Sequence, residues 1–173
     1  MKPILVLCLG NEVLSDDSFG PKIAEILNKH YDLGEKVEVI FAPLAGFNLL
    51  DLLKDRQSVL IVDTIVTGRA KPGTTHFFSM GQLTPSSNLT CSHQISLPTA
   101  IKLGAELGIS MPEDIDVLAI EAHDIETLSE NLTAPVKGAI DTAISLIMDW
   151  VKSKRMESIQ YEPRKKTSSL ARG

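Results

Sequence analysis

Ile4-Leu5-Val6-Leu7-Cys8-Leu9 runs straight into Gly10-Asn11-Glu12-Val13-Leu14-Ser15-Asp16-Asp17-Ser18-Phe19-Gly20-Pro21. Six apolar residues in a row, with no polar position to turn toward water, read as a strand buried on both faces. The residues just beyond, Ile23-Ala24-Glu25-Ile26-Leu27, carry apolar side chains at helical spacing. Strand, short loop and helix make the opening of an α/β unit, and ligands of such folds bind outside the carboxyl ends of the strands. Asp16 and Asp17 lie in that loop. It has neither G-x-G-x-x-G nor the Lys-Ser/Thr of a phosphate cradle. Two carboxylates repel phosphate, so a cation is the ligand this loop favours. The same residues have a plainer use. Asp16, Asp17 and Ser18 are all good helix N-caps and Pro21 suits a first helical turn, so the stretch alone leaves capping and metal binding both open.

Outward from this unit, apolar β-branched runs alternate with helical patterns. Residues 36–41 read as a second strand and residues 47–54 as a short helix, opened by the turn Pro43-Leu44-Ala45-Gly46. Residues 58–63 form a third, buried strand that ends in Asp63, and residues 74–78 a short fourth. A parallel crossover needs about a dozen residues or more. The link between strands three and four is shorter and contains Gly68 and Pro72-Gly73, so the fourth strand is expected to run antiparallel. A polar loop over residues 80–92 precedes helical spacing at Leu97, Ile101, Leu103 and Leu107. Residues 117–121 are a fifth strand. A last helix from about Pro135 passes beyond Trp150, with Val136, Ile140, Ala143, Ile144, Ile147 and Val151 on one face. The expected fold is a three-layer α/β/α sandwich around a five-stranded, mostly parallel sheet.

The chain of 173 residues fits one domain, expected over residues 1–150, and needs no staple to bury a core. Its net charge of −5 is unevenly spread. Residues 151–173 hold seven Lys/Arg and two Asp/Glu, a balance of +5, which leaves −10 on the rest. An acidic body argues against nucleic acid as partner. Residues 151–173 read as the end of the last helix followed by a basic, disordered tail. No apolar run is long enough to span a bilayer and no signal-peptide cleavage site follows the first strand. Cys8 and Cys91 form no C-x-x-C pair, and a reducing, cytoplasmic location is expected.

Asp17, after strand one, and Asp63, after strand three, are expected at the same sheet edge. His93, in Cys91-Ser92-His93-Gln94-Ile95-Ser96-Leu97 just before a helix, can approach the same edge. Two carboxylates and an imidazole with open positions suit a divalent ion. Each also has a plainer reading: Asp63 as an acceptor for loop amides, His93 as a polar residue at a helix start. Cys91 reads as packing, and His76 and His123 as surface histidines or site residues alike. His30, ending a helix, needs no role beyond complementing its dipole. H-E-x-x-H, G-x-S-x-G and Walker motifs are absent. A Cys–His peptidase built on Cys8 would need its nucleophile inside a buried strand.

Leu9-Gly10-Asn11-x-x-Leu14-x-Asp16-Asp17-x-x-Gly20 resembles the amino-terminal signature of the hydrogenase maturation proteases, endopeptidases that trim the large subunit of nickel-iron hydrogenases. The likeness continues through Val62-Asp63, residues 92–97, residues 120–125 and Leu132-Thr133-x-Pro135-Val136. It covers roughly residues 3–150. Ser18 stands where the family usually has Gly, which makes a left-handed backbone there less favourable. The resemblance implies a five-stranded sheet with strand four antiparallel. It also implies that Asp17, Asp63 and His93 are the metal-contacting and catalytic residues of a metal-dependent endopeptidase. The partner it implies is the precursor of a nickel-iron hydrogenase large subunit, with nickel carried by that substrate; zinc or cadmium are other ions suited to the site. Alternatives are a non-catalytic, metal-sensing chaperone of hydrogenase assembly and a small-molecule hydrolase on the same scaffold.

Overall fold

Residues 4–9, 59–62 and 117–120 have no polar face, and such runs are stable only as strands covered on both sides. In the computed structural model, which describes residues 3–43, 49–80 and 97–160, all three lie at the centre of one sheet. The strands are β1 (Ile4–Leu9), β2 (Val37–Ala42), β3 (Ser58–Ile65), β4 (Thr75–Ser79) and β5 (Asp114–Glu121). Their order is β2-β1-β3-β5-β4. All pairs are parallel except β4 on β5, which is antiparallel, with Phe77 opposite Leu118. The short connection over residues 66–74 leaves no room for a crossover helix, which is why β4 returns beside β5 in the opposite sense.

Alternation along the strands divides the core in two. Ile4, Val6 and Cys8 of β1, with Leu60, Val62, Leu118 and Ile120, face helices α1 (Phe19–His30) and α5 (Ile140–Gln160). Helix α1 contributes Phe19, Ile23 and Leu27, and α5 contributes Ala143, Ile147, Trp150 and Val151. Leu5, Leu7 and Leu9, with Val59, Ile61, Ile65, Val117 and Ala119, face the other way, against α2 (Leu50–Leu53) and the side of α3 (Leu97–Glu106) that carries Ile101. Trp150 keeps its indole N–H satisfied by donating to Asp116 Oδ2 at 2.8 Å. No described helix is long and apolar enough to cross a membrane.

Three sequence expectations change. Strand β3 does not end at Asp63 but runs to Ile65. Its ladder with β1 stops at Cys8–Val62, while pairing with β5 continues to Ile65–Glu121, so Asp63 is a strand residue that has lost one neighbour. Strand β5 starts at Asp114, because the polar positions Asp114 and Asp116 lie in the ladder with β3. The last helix is interrupted at Ala139, which separates α4 (Ala134–Gly138) from α5. Helix α5 reaches residue 160.

Two glycines fold the loop after β1 back onto the strand. Gly10 has φ +133°, and a Cβ there would run into the Asp17 carbonyl oxygen; a Cβ on Gly20 would run into the Leu9 carbonyl oxygen. Only glycine permits backbones so close.

Candidate active site at the carboxyl edge of the sheet

The loops after β1, β3 and β5 meet at the carboxyl edge. Between Gly10 and α1 the chain makes a 3-10 turn, Ser15–Ser18, and all four of its residues are buried. Ser15 takes φ +29°, a conformation that side-chain-bearing residues rarely adopt. Ser18 Oγ closes the turn by donating to the Ser15 carbonyl at 2.6 Å.

The two adjacent carboxylates point to different partners. Asp16 is wholly buried. Its Oδ2 accepts from the backbone N–H of His123 (2.9 Å) and Asp124 (3.0 Å) and from Thr133 Oγ1 (2.9 Å). Its Oδ1 accepts from Thr133 N–H at 2.7 Å. Asp17 Oδ1 accepts from Thr64 Oγ1 at 3.1 Å, and its carbonyl accepts from Asn11 N–H at 3.0 Å. The local capping role open to Asp16, Asp17 and Ser18 is not used: neither the 3-10 turn nor α1 has a side-chain cap among the described residues. Asp16 instead serves amides on the far side of the sheet edge, one of them at the start of α4.

Asp63 is buried on β3, one residue past the end of the β1 ladder, and its Oδ1 accepts from Thr64 N–H at 2.7 Å. Thr64 thus touches both acids, its amide on Asp63 and its hydroxyl on Asp17. Alternation turned consecutive residues to opposite faces, and the hydroxyl of Thr64 lies on the α1 side where the 3-10 turn packs. Among the described residues no three His, Cys, Asp or Glu side chains form a group able to hold a metal. His93 and Cys91 lie outside the described residues.

Beneath the acids, Cys8 is fully buried. Burial pushes its thiol pKa up, and the negative charge of Asp63 pushes it further. It stays a protonated core residue, and the geometry gives no support to a Cys8 nucleophile.

A fourth buried acid, Glu121, closes β5. Its Oε1 accepts from Thr67 N–H (2.8 Å), Gly68 N–H (3.0 Å) and Thr67 Oγ1 (2.9 Å). Its Oε2 accepts from Thr67 Oγ1 (2.8 Å) and meets His76 Nε2 at 3.2 Å. Burial alone would push this carboxyl up; the bonds from Thr67, Gly68 and His76 outweigh it and hold the group below the ordinary glutamate value. His76 is thereby placed on Glu121, while His123 is exposed and contributes its backbone N–H to Asp16. Thr64 and Thr67 did not stand out in the sequence, and Thr133 and Glu121 were seen only as parts of stretches that carry the resemblance, with no role read for either. A local signal for Glu121 was Ile120-Glu121, an apolar run ending in an acid as Val62-Asp63 does. Among the described residues the buried cation, Arg56, pairs with Glu38 at 2.7 Å near the opposite edge.

Comparison with known proteins bears on what such an edge does. The family model described as HycI, hydrogenase maturation protease, matches residues 21–150. That match begins after Asp17, so it is independent of the acidic loop. The hydrogenase 2 maturation protease of Escherichia coli K12 is 27% identical over 160 residues, covering 92% of this chain and 96% of that protein. The hydrogenase expression/formation protein HupD of Rhizobium leguminosarum bv. viciae is 27% identical over 154 residues, 85% of this chain and 75% of that protein. In fold, the chain is similar to the hydrogenase maturating endopeptidase HybD from Escherichia coli, with a TM-score of 0.72 at 24% identity over 87% of this chain and 93% of that one.

Proposed function

Because the chain belongs to the hydrogenase maturation proteases, and is thus a hydrolase of peptide bonds, we propose that it removes a C-terminal peptide from the nickel-loaded precursor of a nickel-iron hydrogenase large subunit. Asp17, Asp63 and His93 contact the nickel that the substrate carries, so that only a loaded precursor is seated for cutting. The observation that supports this reading is Thr64, whose amide and hydroxyl bind the carboxylates of Asp63 and Asp17 respectively. Those bonds tie an acid of the loop after β1 and an acid of strand β3 to one residue, at the sheet edge where ligands of open α/β folds sit. Hard carboxylates with one imidazole hold a borderline divalent ion weakly, which suits an ion that arrives and leaves with the substrate. An ion at such a position also lowers the pKa of a bound water, a nucleophile that needs no activated side chain. The acidic body fits a cationic cargo and not nucleic acid. Cytoplasmic action belongs to the same reading.

Mass spectrometry of the large subunit tests the proposal. Incubation of the nickel-loaded precursor with this protein should shorten its C-terminus, and omission of nickel should prevent the cut. An unchanged C-terminus in the presence of a loaded precursor would favour the non-catalytic chaperone and end the peptidase reading for this partner.

A further inference from the structure

We propose that Asp16 is a positioning residue for this reaction, setting the place of Asp17 by locking the 3-10 turn to the β5–α4 connection; the inference rests on the reading of Asp17 as a contact to substrate nickel. Asp16 is fully buried, yet it has no partner in its own loop apart from backbone. Its carboxylate accepts four hydrogen bonds, all from His123, Asp124 and Thr133. Its own N–H donates to the Asp124 carbonyl at 2.9 Å. Both sides of this junction add further ties: Ser129 N–H donates to the Val13 carbonyl at 3.0 Å, and Ser15 Oγ to the Asn131 carbonyl at 3.4 Å. A buried carboxylate satisfied by amides and a hydroxyl holds its donors in fixed directions, because each charge-assisted bond is short and directional.

The neighbouring Ser15 supplies an independent observation. Its φ of +29° is strained for serine and persists only because the surrounding bonds over-determine it. The turn is therefore braced from two sides, by Asp16 on the β5–α4 connection and by Asp17 on Thr64 of β3. Freed from the Asp16 anchor, Ser15 can relax toward an ordinary conformation. Such a rotation carries Asp17, two residues on, off Thr64. A displacement of about 1 Å at a reacting group is enough to lose roughly a hundredfold in rate. The buried anchor acts on chemistry without touching the substrate.

Asp16→Asn tests this, because it keeps the size of the side chain but turns an N–H₂ toward donors. The readout is the affinity for nickel-loaded and nickel-free precursor, measured side by side with kcat and KM. Affinity for the loaded precursor should fall roughly tenfold or more, and affinity for the nickel-free form should stay within about twofold. Val151→Ala is the stability control. Val151 is buried on α5 one turn before Lys154, which pairs with Asp114 at the amino end of β5, far from the turn. It should lower the melting temperature and keep the preference for loaded precursor. If Asp16→Asn keeps that preference, or Val151→Ala loses as much of it, the positioning role is overturned. Should Asp16→Asn not fold, Thr133→Val removes only the hydroxyl bond to Oδ2 and should weaken the preference about threefold, within what one lost hydrogen bond to a charged group supplies; a folded Thr133→Val with the full preference also overturns it. Asp17→Asn separates the two levels. Preference retained in Asp17→Asn ends the nickel-contact reading itself, whereas preference lost there but kept in Asp16→Asn removes only the positioning role.

Discussion

Replacing Glu121 with alanine strips the acceptor from Thr67 N–H, Gly68 N–H, Thr67 Oγ1 and His76 in one step. The hydroxyl and the imidazole can turn to water, and Gly68 is exposed, so its amide finds a replacement. Thr67 N–H is only partly exposed and carries most of the penalty. A buried donor left without a partner costs about 1–3 kcal/mol, and loss of the remaining bonds to a charged group brings the total to roughly 2–3 kcal/mol at neutral pH. For a chain of this size each kcal/mol moves the midpoint by about 2–4 °C, so the melting temperature should fall by roughly 4–12 °C. Glu121→Gln keeps one carbonyl oxygen for both amides and should cost about half as much or less. The pH dependence has a definite sign. The folded carboxyl is held below its ordinary value of 4.5, so its stabilisation is fully present above that value and is lost as pH falls through the folded value. The gap between wild type and Glu121→Ala should hold from pH 7 to pH 5 and narrow below about pH 4.5. Thermal melts of both proteins across that range decide it. A fall of less than about 2 °C at pH 7, or a gap that widens in acid, refutes the view that this carboxylate clamps the β3–β4 connection.

Three further outcomes follow from the same geometry. Asp17→Asn and His93→Ala should each abolish precursor processing; Asp17→Asn should melt within a few degrees of wild type, since removing one of two clustered carboxylates relieves repulsion, and a variant that unfolds instead marks its residue as structural. Cys8→Ser buries a hydroxyl in place of a thiol and should cost about 1–3 kcal/mol in urea titrations while leaving processing intact; loss of cleavage in the folded variant would falsify the assignment of Cys8 to the core. Gly20→Ala drives a Cβ into the Leu9 carbonyl oxygen, and because backbone on both sides must move, the expected loss is about 2–4 kcal/mol, with wild-type stability showing that the loop does not lie against β1 as described.

Much of the architecture is written locally in the chain. The unbroken apolar run at residues 4–9 dictates a strand covered on both faces, and the brevity of the link at 66–74 forces β4 antiparallel, whatever else the molecule does. Local sequence suffices for these because an unbroken apolar run and the length of a link are each properties of a single segment. The adjacency of Asp16 and Asp17 also marked the loop after β1 as chemically unusual. What each of them binds was not legible. The partners of Asp16 lie 107 to 117 residues away, and no local pattern names Thr133 as the donor to a carboxylate in the first loop. Asp63 looked like a strand end because the apolar run stops there, but β5 pairs with β3 for three residues beyond the last pair with β1 and keeps it in register to Ile65. Thr64, which links the two acids, looked like any polar residue after a strand. The sequence determined which segments are strands and helices, since that depends on each segment's own burial pattern. Only the tertiary structure decided which groups at the sheet edge bond one another, because a buried carboxylate takes its donors from whatever backbone the strand order brings beside it.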